Sequence, residues 1–268
     1  CDNSSSSTIQ NNSIDGSYSQ AAIRMDNCAF CDFSDNTITN HPYRGIWVDN
    51  GFTTTINNNT MDVQEYGIIG NYGSFLTINN NEINDFDEIG IQFYSSENST
   101  VNYNRLISTN NTGGYKLGIS NSAGSQNAIV HYNYIEISDP ATMGYGTRAR
   151  GIEAHDSHLK GDTVIVSTMD CDDDWAIYAN RSIIEDNYVK FFHKYDCYVS
   201  TAIVSWGDNT SRSTIQNNTI EANGFCKGIE SSDADILNNT MSHDFTGAYN
   251  WCCHYQENEM YAIGWGSD

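Results

Sequence analysis

The sequence predicts an all-β protein, a single solenoid domain of about eleven stacked coils spanning residues 1–268. Three observations predict it. The phrase STIQNN followed by a further Ile is written twice, at residues 7–12 and again at 213–218. A pattern of apolar-x-x-Asn-x-apolar recurs along the whole chain, with its Asn position at Asn12, Asn36, Asn59, Asn81, Asn104, Asn133, Asp162, Asn187, Asn218, Asn239 and Asn258. Interleaved with it, Gly or Ala precedes Ile at Ala22, Gly45, Gly67, Gly90, Gly118, Gly151, Ala176, Ala202 and Gly228, and the step from this residue to the next Asn is 14 residues in the first four intervals. One such repeat cannot bury its apolar face alone, but stacked copies can.

Each part of the repeat has a physical role. The residue three before the Asn is always apolar or aromatic, from Ile9 and Phe33 to Ile236 and Tyr255, and forms one wall of the coil. The Asn comes next, at a corner. Its side chain tolerates left-handed backbone, and its amide bonds to the equivalent amides above and below when strands stack about 4.8 Å apart. Two residues later an apolar side chain (Ile14, Ile38, Met61, Ile83 and their successors) starts a second wall. Gly or Ala before Ile leaves room at a crowded corner and opens the third. Leucine-rich repeats are excluded by their missing Leu pattern, and a β-sandwich would not hold one phrase in register throughout.

An Asn ladder flanked by Ile stacks resembles the right-handed parallel β-helix of the pectin-lyase-like superfamily, over essentially the whole chain. The resemblance implies a single-stranded parallel β-helix and raises the expectation of polysaccharide chemistry, since that superfamily is rich in lyases, hydrolases and epimerases. Within RARGIEAHDSH, residues 148–158, the run GIEAHD is similar to the Gly-x-Asp-Pro-His-Asp/Glu phrase of uronan C5-epimerases. That likeness would make His155 the proton-transfer group beside Glu153. Arg150 stands where those enzymes carry a tyrosine, and Arg148 or Arg150 would neutralise a substrate carboxylate.

Between the Asn and the following Gly/Ala-Ile the spacing is longer in coils five to eight. The insertions are expected to stack into one lateral ridge within residues 105–200, carrying Tyr115, Tyr145, Arg148, Trp175, Phe191, Phe192, His193, Tyr195 and Tyr198. Asp172, Asp173 and Asp174 on that ridge are a candidate Ca²⁺ site. Loops carry function more often than scaffolds do.

Eight cysteines are an even number, and with a Cys rather than Met at position 1 they favour disulfides and an extracellular or cell-surface location. Cys171 and Cys197 both lie five residues before an Ala-Ile, so they are expected to stack and bond. Cys1, Cys28 and Cys31 near one end, and Cys226, Cys252 and Cys253 near the other, are candidates for end-region or intermolecular bonds. Cys28 and Cys31 also have zinc-knuckle spacing, but no second such pair completes four ligands. Cys1 before a Ser-rich run reads either as a lipid-attachment site or as the residue after a cleavage point.

Composition bounds the rest. A formal charge of −22 disfavours nucleic acid and anionic membranes as partners. No apolar run is long enough to span a bilayer as a helix. Seventeen Tyr and five Trp set the chain apart from disordered polar sequences. Asn-x-Ser/Thr sequons at Asn3, Asn98, Asn110, Asn180 and Asn209 permit glycosylation; those at Asn11, Asn58, Asn217 and Asn238 arise from the repeat itself. No amphipathic helix precedes Ile9 or follows Met260 in the sequence, and bare solenoid ends invite stacking. The leading expectation is therefore a secreted structural protein that assembles end to end with copies of itself into a sheath, layer or filament. An enzyme acting on acidic polysaccharide and a non-catalytic glycan-binding spike are the alternatives.

Overall fold

A computed structural model describes residues 5–16, 18–110, 115–122, 124–139, 148–168, 174–193, 200–206, 211–224, 226–232, 234–244 and 259–263. These residues form three parallel sheets and no helix. The first sheet runs from Thr8–Gln10 to Ala234–Leu237, the second from Ser13–Asp15 to Glu259–Ile263, and the third from Ala21–Asp26 to Cys226–Ser232. Each strand pairs with its equivalent one coil away, so the chain visits the three sheets in turn. Among the described residues the sheets hold ten, eleven and nine strands. Among the described residues, the repeat at Asn239 adds strands to the first and second sheets, and the repeat at Asn258 adds one to the second.

The apolar rows fall into register as the repeat requires. In the second sheet Ile14 pairs with Ile38, Ile83 with Leu106, and Val164 with Val189. In the third, Ile23, Ile46, Ile68, Ile91 and Ile119 stack in succession. All three rows point into one continuous core. At about 25 cal/mol per Å² of buried apolar surface, this stack is the main source of stability.

Between the first and second sheets the Asn ladder forms. Asn36 Nδ2 donates to Asn59 Oδ1 at 3.0 Å, Asn59 to Asn81 at 2.9 Å, and Asn81 to Asn104 at 3.0 Å. The ladder Asn is not itself left-handed. The residue before it is, with φ of 54° at Asn58, 55° at Asn80, 56° at Tyr103 and 57° at Tyr132. The left-handed residue turns the chain outward, which leaves its neighbour free to aim its amide along the stack. A second buried ladder runs at the corner between the third and first sheets, where Ser157 N–H donates to Ser182 Oγ at 3.1 Å and Ser182 N–H to Ser213 Oγ at 3.3 Å.

Part of the expected lateral ridge is strand. The second-sheet strands lengthen from Glu82–Asn84 to Tyr134–Asp139, Thr163–Thr168 and Tyr188–His193. Phe191 and His193 lie buried at the end of the last of these rather than on a surface ridge, because the inserted residues continue the β-alternation before leaving it. Tyr145, Tyr195 and Tyr198 lie outside the described residues.

Candidate functional site

On the outer side of the third sheet, residues at fixed offsets from the Gly/Ala-Ile phrase stack from coil to coil. Register stacks Arg150 on Trp175 and Trp175 on Thr201; Glu153 on Tyr178 and Tyr178 on Val204; and, in the next coil, Thr201 on Lys227 and Val204 on Glu230. Two coils before Trp175, a Cβ on Gly118 would lie 2.6 Å from Gly151 O and 2.6 Å from Ile135 Cγ2, so Gly fits that crowded corner.

On this face a cleft of about 330 Å³ lies across the strands Trp175–Asn180, Ser200–Trp206 and Cys226–Ser232. Trp175, Tyr178 and Trp206 supply aromatic surface, with the rings of Trp175 and Tyr178 4.9 Å apart. The polar part is a chain of three groups: Lys227 Nζ donates to Glu230 Oε2 at 2.9 Å, and Thr201 Oγ1 donates to the same oxygen at 3.2 Å. Asp174 closes one side, nearly fully buried, with Oδ1 accepting the Ala149 N–H at 3.0 Å.

The four residues of the epimerase-like phrase all lie on the strand Arg148–His155, beside this cleft. Glu153 and His155 project on the same side, with His155 Nε2 4.0 Å from Glu153 Oε1. Burial lowers the His155 pKa, and Glu153 opposes that shift. The imidazole packs edge-on to Tyr178. Arg150 is not presented to solvent. It is 7% exposed, and its guanidinium lies 3.4 Å above the Trp175 ring with Nη1 3.4 Å from Tyr115 Oη. The guanidinium thus packs against the aromatic wall of the cleft. Arg148, at the start of the strand, is exposed. The aromatic and polar residues Tyr178, Thr201, Trp206, Lys227 and Glu230 are absent from the sequence-level candidates, although their constant offsets from Ala-Ile would have aligned them.

The remaining candidates are scattered. Asp172 and Asp173 lie outside the described residues, and among those described no group of three or more His, Cys, Asp or Glu is arranged to hold a metal ion. Cys28 and Cys31 are both buried and lie close to each other, Cα atoms 6.2 Å apart, near enough for a local disulfide. Cys226 donates through Sγ to Asn223 O, and burial pushes its thiol up to about 12. Cys1, Cys171, Cys197, Cys252 and Cys253 lie outside the described residues. Of the sequons, Asn98 is exposed in a left-handed turn, whereas Asn110 donates to Asp87 and Asn180 accepts the Trp206 N–H at 3.1 Å. Asn3 and Asn209 lie outside the described residues. Among the described residues no helix is long and apolar enough to cross a membrane.

A family model for the right-handed β-helix region matches residues 1–158. The chain belongs to the right-handed β-helix family. Among solved structures this β-helix is similar to mutant tailspike proteins of E. coli bacteriophage HK620 in complex with a pentasaccharide. One shares 12% identity at a TM-score of 0.59, covering 91% of this chain and 46% of the tailspike. Another shares 10% identity at a TM-score of 0.64, covering 97% of this chain and 51% of the tailspike. The chain thus spans about half the length of the tailspikes it matches, and at such identity the likeness is one of fold. Comparison with curated proteins finds no match.

Proposed function

We propose that this β-helix is an extracellular glycan-binding protein whose site is the cleft over Trp175, Tyr178 and Trp206. One observation carries the reading: aromatic side chains gathered around a hydrogen-bonded Lys227–Glu230–Thr201 chain. Sugar rings present apolar C–H faces that pack on aromatic rings, and hydroxyls that pair with carboxylates, ammonium groups and hydroxyls. Similarity of fold to tailspikes that hold a pentasaccharide supports the same reading without supplying the ligand.

Trp206 is the most accessible of the three rings, 37% exposed. Trp206→Ala is expected to weaken binding to the recognised glycan about tenfold or more, the loss typical of a central aromatic contact. Tryptophan fluorescence titration against an immobilised-glycan panel measures it, and unchanged binding by the variant would remove the site. End-to-end assembly, the leading expectation from the sequence, depends on the two extremities. Residues 1–4, 245–258 and 264–268 there lie outside the described residues. That reading is judged by electron microscopy of the native material with and without reductant.

A further inference from the structure

We infer that the ligand of this cleft is a neutral glycan rather than a polyuronate, an inference that rests on the glycan-binding reading above. The charges decide it. Among the described residues lining the cleft, Lys227 is the one cation, against the carboxylates of Asp174 and Glu230. Lys227 is already held by Glu230 at 2.9 Å. The nearest guanidinium, that of Arg150, is committed to the ring of Trp175 and is almost wholly covered. Glu153 adds a further carboxylate on the neighbouring coil, stacked directly on Tyr178. A uronate would therefore bring its charge to a site with a carboxylate excess and would have to pull Lys227 away from Glu230, leaving that carboxylate beside it. Like charges in such contact are repulsive, and the formal charge of −22 over the whole chain repels an anionic polymer before it arrives.

Neutral hydroxyls meet none of these penalties. Each donates one hydrogen bond and accepts two, so one hydroxyl can donate to Glu230 while accepting from Lys227 or Thr201. The polysaccharide that the sequence suggests as acidic is thus assigned the opposite character.

The test uses the intact protein with maltopentaose and chitopentaose as neutral probes, and pentamers of galacturonate and mannuronate as acidic ones. Calcium is chelated throughout, and binding is followed by calorimetry and tryptophan fluorescence. A neutral probe is expected to bind at least about tenfold more tightly than either uronate. Glu230→Gln is expected to weaken that binding about tenfold without creating affinity for uronates, because a lost charged acceptor outweighs a freed Lys227. Trp206→Ala, with its fold checked by circular dichroism, locates the site. Tighter uronate binding that depends on Trp206 would overturn the neutral character and leave the glycan site standing. Absence of binding by every probe, or binding indifferent to Trp206, would overturn both.

Discussion

Asp162 is the residue at which the Asn ladder breaks its own chemistry. Asn133 donates to Asp162 Oδ1 through both N–H, at 2.7 Å, and Nδ2, at 2.9 Å, just as one Asn donates to the next elsewhere. In the other rungs the amide nitrogen also reaches a strand carbonyl, as Asn133 Nδ2 does to Val101 O and Asn187 Nδ2 to Leu159 O. Asp162 has an oxygen where those rungs have an NH₂ group, and that Oδ2 is buried without a donor among the described residues. Burial raises its pKa well above the ordinary carboxylate value, and the two bonds from Asn133 only partly offset this. A protonated carboxyl restores the missing donor. With a folded pKa above the unfolded one, the stability contributed by the protonated form is complete below about pH 3.8 and declines as pH rises towards the folded value. Asp162→Asn is therefore expected to stabilise the protein at pH 8 by about 1–3 kcal/mol, the cost of an unsatisfied buried group. Urea midpoints of the two proteins at pH 5 and pH 8 provide the check: the gap widens towards pH 8, and equal midpoints at both would refute a strained rung.

At the scale of the strand, the corner glycines decide whether a coil can close. Gly118 has the Gly151 carbonyl and Ile135 within 2.6 Å of where a Cβ would stand, so the third-sheet strand and the second-sheet core cannot both keep their positions around a larger residue. Gly118→Val is expected to destabilise by about 1–3 kcal/mol, the usual cost of overpacking. Its urea midpoint should fall well below that of a Val substitution at the exposed strand position Thr60, and equal midpoints would show that the corner yields. This corner was legible in the sequence because every coil must solve the same packing problem with a small residue, Gly or Ala. The Ile and Asn rows were legible for that reason too. The cleft was not. Its residues occupy outward positions that no core constrains, so Trp175, Thr201 and Lys227 share a place in the repeat without sharing any chemistry. The motif-like GIEAHD lies on a strand beside the cleft, where Arg150 stacks against Trp175 on the outer side of the sheet. The Ser ladder escaped for a different reason: serine is common throughout the chain, and only its position two residues before an inward apolar residue distinguishes Ser157, Ser182 and Ser213.

For the whole molecule, the stacking that aligns apolar rows also aligns charges. There are 34 acidic residues against 12 Lys and Arg. Several of the few cations bridge coils, as Arg105 does to Glu82 at 2.9 Å, Arg181 to Asp156 at 2.7 Å and Arg212 to Asp235 at 2.7 Å. Exposed pairs of this kind each contribute about 0–1 kcal/mol, too little to offset the unpaired carboxylates. Successive coils are about 4.8 Å apart, well inside the screening length of about 30 Å at 0.01 M salt but beyond that of about 3 Å at 1 M. Repulsion between carboxylates in neighbouring coils therefore acts at full strength in dilute buffer and is nearly extinguished in concentrated salt. The urea midpoint at pH 7 is expected to rise steadily as sodium chloride increases from about 0.01 M to about 1 M. Ion pairs weaken over the same range, so a falling midpoint would mean that the inter-coil bridges outweigh the carboxylate excess. Sucrose at matched osmolality separates charge screening from a general strengthening of burial, because it strengthens burial without adding ions.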